Sequence, residues 1–166
     1  IKRVTSGSVM VHCDNHMSHH LRLLMDNIFL PEGKFINEII WRYGLGGFKT
    51  KDHLPKKHDN IFWYSVSKNY TFNLIRLEPT QTMLSKYCHE DDNGRYMISY
   101  GKKYYMKGGK PLDDVWDDIA NISPTSSERV GYDTQKPLNL LKRIIELSTN
   151  KGESVLDPFC GSGTTV

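Results

Sequence analysis

The stretch Val155 to Val166 reads VLDPFCGSGTTV and constrains the fold more than any other part of the chain. Val155 and Leu156 form a short apolar run that ends in a carboxylate, Asp157. Gly161, Ser162 and Gly163 then make a turn before Thr164 and Thr165. This order predicts a strand, a tight turn and the first turn of a helix. Glycines allow positive φ and let a ligand approach where a Cβ would block it. Free N–H groups at a helix start attract an anion. A carboxylate at the strand end accepts bonds from an amine or hydroxyl, so the pattern suits a nucleotide-like ligand bearing both kinds of group. A P-loop needs a lysine after its last glycine, and none is there. A dinucleotide fingerprint needs a third glycine where this chain has Val166. A glycine turn that only packs a strand against a helix would account for a lone G-x-G.

Upstream, Ser8 to Cys13 reads as a buried strand, introduced by Gly7 and ended by Asp14. Asn15 to Phe29 reads as a helix with Leu21, Leu24, Met25 and Ile28 on one apolar face, Ser18 as N-cap, and Pro31 with Gly33 as its stop. Further strands are predicted at Glu38 to Trp41 and at Asp59 to Ser65, giving, with the last, strands near 9–13, 37–43, 58–65 and 154–157. Gly44 to Lys57 carries three glycines and four lysines with few apolar anchors, the composition of a mobile loop.

Lys68 to Trp116 is more polar and less periodic. Within it, GKKYYMKGGK (Gly101 to Lys110) sets lysines beside Tyr104 and Tyr105, with Tyr100 just before. Basic residues interleaved with aromatics grip a phosphate backbone while stacking bases, which makes Lys102, Lys103, Tyr104 and Lys107 candidate DNA contacts. The alternative is a solvated β-hairpin with Gly-Gly as its turn and tyrosines that pack locally. Asp113 to Asp118 is an acidic patch around Trp116, and Asn121 to Tyr132 reads as irregular. Pro137 opens a helix with Leu138, Leu141, Ile144 and Ile145 as its apolar face, ended by Asn150 and Gly152.

At 166 residues the chain has the size of one domain, and its net charge of +3 permits a nucleic-acid partner without arguing for one. There is no signal peptide and no long apolar run, so no membrane span is expected and a cytoplasmic location is. Cys13, Cys88 and Cys160 read as free thiols of a reducing compartment. His12, His16, His19 and His20 crowd one segment, but no second ligand group stands at a metal-site spacing, so no metal is expected. The chain starts at Ile1 and stops one turn into a predicted helix, which reads as a fragment of a longer protein.

The octet DPFCGSGT resembles the S-adenosylmethionine motif of the amino-methylating DNA methyltransferases. Other segments resemble that family in its β-type order. GSVMVHCDNHMSHHLRLLMDNIF (Gly7 to Phe29) is similar to the strand and helix after the catalytic motif. NEIIW (Asn37 to Trp41) and KHDNIFWYS (Lys57 to Ser65) are similar to the next strands. GYDTQKPLNLLKRII (Gly131 to Ile145) resembles the segment before the cofactor loop.

The resemblance implies an α/β, Rossmann-like S-adenosylmethionine-dependent methyltransferase fold, incomplete here, with a mostly parallel sheet and a partly irregular target-recognition insertion. Residues 1–67 would belong to the catalytic domain, 68–130 to target recognition and 131–166 to the cofactor part. Thr134, Gln135, Lys136, Pro137, Asp157, Phe159, Gly161, Gly163 and Thr164 would bind S-adenosyl-L-methionine. His12, Cys13 and Asp14 would shape the target-base pocket. The family's catalytic DPPY or SPPY tetrapeptide is absent, so no catalytic residue is assigned and this fragment alone is expected to be inactive. The implied activity is site-specific methylation of adenine N6 in double-stranded DNA. Cytosine N4 methylation and a non-catalytic DNA-binding module are the alternatives. A restriction subunit and a homodimer of the full-length protein are the further partners the resemblance implies. The 154–157 strand, lacking its neighbours, is expected to carry unpaired edges.

Overall fold

The computed structural model describes residues 2–44 and 50–165. In chain order its elements are β1 (Ser8–Asp14), α1 (Ser18–Phe29), β2 (Lys34–Arg42), β3 (His58–Ser65), α2 (Gln81–Lys86), β4 (His89–Asp91), β5 (Gly94–Ser99), β6 (Lys102–Tyr105), β7 (Val115–Trp116) and α3 (Leu138–Ser148). They fall into two compact units, one of Ile1–Asn73 with Asp114–Val166, the other of Leu74–Asp113. No described helix is long and apolar enough to cross a membrane. Part of the loop expected to be mobile, Leu45 to Lys49, lies outside the described residues.

The first unit is built on a four-stranded sheet in the order β1-β3-β2-β7. The expectation of a mostly parallel sheet is corrected here, because β1 and β2 both pair antiparallel with β3 and only β2 with β7 is parallel. The strand β3 lies between two partners, and its residues from Asn60 to Ser65 are all buried. A strand covered on both faces reads as a continuous apolar run, which is why IFWY could be placed from sequence. β7 was not foreseen. It is two residues long and sits in the patch read as acidic, where Trp116 pairs with Trp41 and is itself buried.

The expected strand at 154–157 does not form, and Val155 and Leu156 are exposed. A strand is fixed by its ladder, and among the described residues this segment pairs with none.

Alternation along β3 separates two faces. On one, Val9, Phe62 and Tyr64 pack with Met25 and Phe29 of α1. The predicted apolar face of α1 is thus rotated. Leu21, Met25 and Phe29 make the inward stripe, whereas Leu24 and Ile28 are exposed. The polar contacts that set this rotation are the Tyr64 hydroxyl, which donates to Asp26, and the Arg22 guanidinium, which pairs with Asp26 at 2.9 Å and lies 3.5 Å from the Phe35 ring centroid. The N-cap is Met17 rather than Ser18, and Asp14 accepts from the Met17 and His16 amides instead. Between α1 and β2 the backbone passes so close to β3 that a Cβ on Gly33 would lie 1.9 Å from the Ser65 carbonyl oxygen.

On the other face, buried Trp41 donates its indole N–H to the Ile119 carbonyl at 2.8 Å. In α3 the buried apolar side chains are Leu140 and Leu147, while Leu138 is exposed and Leu141, Ile144 and Ile145 are only half-buried. Arg143 orients this helix. It stacks 5.3 Å from the Trp116 ring and forks onto Asp118 with bonds of 2.7 and 2.6 Å. Pro137 precedes the helix as its cap residue with extended backbone, not as its first helical position.

The second unit is a three-stranded antiparallel sheet, β4-β5-β6, with the short helix α2 capped by Thr80. Its two ends run beside each other. Leu77 N–H donates to Lys110 O, and Leu112 N–H donates to Ile75 O, each at 2.9 Å. Gly109 is required there because a Cβ would lie 1.5 Å from Leu77 O. The hairpin foreseen in the Gly101 to Lys110 stretch is present as β5 and β6, but its turn is Tyr100-Gly101 and not Gly108-Gly109.

Candidate cofactor turn and sheet-end polar cluster

The Asp157 to Thr165 segment forms a self-bonded turn. Asp157 accepts from the Phe159 amide at 3.0 Å and from the Thr165 hydroxyl at 2.6 Å. Gly163 N–H donates to Cys160 O at 2.7 Å, and the Ser162 and Thr164 hydroxyls lie 2.8 Å apart. Both glycines are left-handed, with φ of 50° at Gly161 and 76° at Gly163. A Cβ on Gly161 would meet the Tyr132 ring at 3.0 Å, so the open backbone at Gly161 faces an aromatic plane. Phe159 points outward and is 86% exposed. The carboxylate therefore organises its own turn, and the turn offers a free aromatic face beside a backbone without side chains.

Thr134 to Pro137 lead into α3. Gln135 braces this segment through both ends of its amide, accepting from Val130 N–H at 2.9 Å and donating to Glu128 O at 2.7 Å. Thr134 is exposed, and its carbonyl accepts from the Lys136 ammonium at 3.2 Å. Burial lowers the Lys136 pKa, and the charge of Asp59 partly offsets that. A cleft of about 480 Å³ reaches Pro137 but is not lined by the glycine turn.

Asp59 belongs to a cluster that sequence reading did not find. It accepts from His12 Nε2 at 2.9 Å and from the Tyr43 hydroxyl at 2.8 Å. Burial pulls its carboxyl upward, but the bonds from His12 and Tyr43 outweigh burial and hold it below the ordinary range. Burial and the Asp59 bond push the Tyr43 phenol up to about 12. His12 comes from the C-terminal part of β1, Asp59 from the start of β3 and Tyr43 from just beyond β2, so only strand pairing brings them together. Alternation along KHDNIFWYS places Asp59 with Ile61 and Trp63, but nothing local in the sequence places it beside His12.

The three pocket candidates separate. His12 joins this cluster. Cys13 packs toward the α1 core, where burial and then the nearby carboxylates raise its thiol to about 11. Asp14 is held low first by the Met17 amide, as part of the start of α1. Of the DNA candidates, Lys102 and Tyr104 lie on one face of β6, and Lys103 on the opposite face is bonded to Asp91 at 2.6 Å. Lys107 is exposed just beyond the strand.

Comparison with known proteins adds an independent line. A family described as DNA methylase, of the N6 and N4 type, matches residues 2–166. The type II methyltransferase M.EcaI of Enterobacter cloacae is 26% identical over 96% of this chain and 47% of its own length. M.HpaI of Haemophilus parainfluenzae is 34% identical over 80% of this chain and 37% of its own. The DNA adenine methyltransferase YhdJ of Escherichia coli is 34% identical over 78% of this chain and 42% of its own. The chain thus spans less than half the length of these relatives. With a match that runs from Lys2 to the last residue, the chain belongs to the family of DNA amino-methyltransferases.

Proposed function

We propose that this chain is part of a site-specific methyltransferase that moves a methyl group from S-adenosylmethionine to adenine N6 in double-stranded DNA. The observation that carries the proposal is the family match across residues 2–166. The choice of adenine is supported by the likeness to an adenine methyltransferase at 34% identity. Cytosine N4 is the second reading, because the family covers both bases.

The residues present suit the cofactor's chemistry. Phe159 offers an exposed ring for an adenine, Gly161 and Gly163 leave the backbone open, and Lys136 with Thr134 offers donors for a carboxylate. Asp157, Gln135, Pro137 and Thr164 would act by holding those groups in place through the bonds described. S-adenosylmethionine, when bound, supplies an activated methyl on a sulfonium. The protein's share is then positioning of the amine toward that methyl. The target base must leave the stack to be reached. His12, fixed by Asp59, is the pocket candidate whose orientation is set, and Cys13 and Asp14 support the strand end that carries it.

Residues 131–166 are read as the cofactor part, residues 1–67 as catalytic-domain scaffold, and the Leu74–Asp113 unit as the centre of the target-recognition region. This chain alone is read as inactive, a restriction endonuclease and a second copy of the full-length enzyme as partners, and the cytoplasm as its place.

The test is product analysis. The complete reading frame is expressed, incubated with methyl-labelled S-adenosylmethionine and DNA, and the nucleosides are separated. Labelled N6-methyldeoxyadenosine is expected. Label in N4-methyldeoxycytidine would favour the second reading, and unlabelled DNA would reject the proposal.

A further inference from the structure

Tyr100 is the only non-glycine residue with positive φ among the described residues, at 49°. It occupies the first position of the two-residue turn between β5 and β6, and Gly101 follows at φ 72°. Turns of this kind favour asparagine, aspartate or glycine at that position, because a Cβ in the left-handed region crowds the carbonyl that follows. A tyrosine there costs stability. Its side chain recovers nothing in return, since it is 99% exposed and makes no ring contact among the described residues. The other tyrosines of this sheet behave differently. Tyr96 lies between His89 and Tyr105 at ring distances of 5.3 and 5.6 Å, and Tyr105 donates to Asp91. Strained residues that the local fold does not need point to a function.

The surroundings name the partner. From Ser99 to Lys107 the chain carries Lys102, Lys103 and Lys107 and no carboxylate. Lys103 is tied to Asp91 and lies 4.3 Å from the Tyr96 ring, so its charge is engaged within the sheet. Lys102 and Tyr104 face the other way and are exposed. An exposed aromatic at the tip, with unshielded lysine on one adjoining face, matches a polyanion whose bases present flat faces.

We propose that Tyr100 is a DNA-contacting wedge: the β5–β6 hairpin is laid on the duplex by its Lys102 and Tyr104 face, and the Tyr100 ring stacks on a base face exposed when the duplex is opened. This rests on the methyltransferase reading and adds to it a residue and a mode of contact. Exposed apolar or aromatic side chains inserted at base steps are an established way to hold opened DNA. The turn conformation fixes the direction of the Tyr100 Cα–Cβ bond before binding, so the backbone loses little freedom on contact.

The experiment uses the complete protein and a short labelled duplex containing the sequence the wild type methylates, mapped by sequencing. Binding is read by fluorescence anisotropy across a salt series. In Y100G the strain is removed, so the melting temperature is expected to hold or rise while DNA affinity falls about fivefold to a hundredfold. Y100F keeps the ring and is expected to bind as wild type. K102A is expected to reduce the salt slope by about one, and K103A to leave it unchanged. Wild-type binding by Y100G, or Y100F as weak as Y100G, would overturn the wedge. A slope change in K103A but not K102A would overturn the assigned face. If the wild-type protein methylates no DNA, the functional reading itself fails, which is a separate outcome.

Discussion

Tyr64 is completely buried, yet it carries a hydroxyl into the core between β3 and α1. That hydroxyl donates to Asp26, which Arg22 also grips, so one polar chain links sheet and helix. Burial pulls the Asp26 carboxyl upward, and the bonds from Tyr64 and Arg22 outweigh it, leaving the carboxyl below its ordinary value. A depressed carboxylate contributes stability that is present above the unfolded pKa and is lost as pH falls through the folded one. Y64F is expected to lower stability by about 1–2 kcal/mol at neutral pH in urea titration. Its deficit should shrink as pH falls below the ordinary carboxylate value of about 4 and through the lower folded one, where the carboxylate it would have served becomes protonated. An equal deficit at both pH values would contradict this account. Cys13 gives a second test at this scale. A thiol raised to about 11 stays neutral at pH 8, so exposed Cys88 and Cys160 are expected to alkylate with iodoacetamide well before Cys13, as read by mass spectrometry.

Helices and strands were legible where burial is one-sided or complete, and less so where a few polar contacts decide. The run Ile61 to Tyr64 announced β3 because each side chain there is buried. The stripe of α1 was misread because Leu24 and Ile28 are as apolar as Met25 and Phe29, and only Arg22 and Asp26 reveal which way the helix is turned. β7 escaped because two residues show no period, and its partner strand lies far away in sequence. In the candidate site, the glycine turn could be read from its own residues, whereas the Asp59 cluster depends on register between strands. Two substitutions probe element joins. G33A places a Cβ against the Ser65 carbonyl and is expected to cost on the order of 3–5 kcal/mol, or to prevent accumulation of folded protein. D118N removes the charge from the Arg143 fork at α3 and is expected to cost about 1 kcal/mol by urea titration.

At the scale of the whole molecule, the Leu74–Asp113 unit lies inside the Lys68 to Trp116 stretch that the sequence sets apart as more polar and less periodic, but its bounds are not marked by any local signal. The division follows from hydrogen bonds: Asn73 N–H donates to Leu147 O, and Asp114 O accepts from Ile40 N–H, so both flanks are held inside the first unit. All three tryptophans, Trp41, Trp63 and Trp116, are buried in that unit. Replacing Leu77 to Lys110 by a short glycine-asparagine turn in the complete protein is therefore expected to preserve tryptophan fluorescence and the main thermal transition while abolishing DNA binding. Loss of the tryptophan signature would show that the sheet needs the second unit to fold.

The paired ends of that second unit, Ile75 to Leu77 against Lys110 to Leu112, have a consequence for ancestry. Entry and exit sit side by side on one antiparallel bridge, so a gene could exchange everything between them at two breakpoints without rewriting a strand of the main sheet. With that unit as the target-reading part proposed above, enzymes built this way would diverge in the sequences they read far faster than in the chemistry they share. Each exchanged segment would have to end in a glycine like Gly109, whose missing Cβ lets the two ends meet.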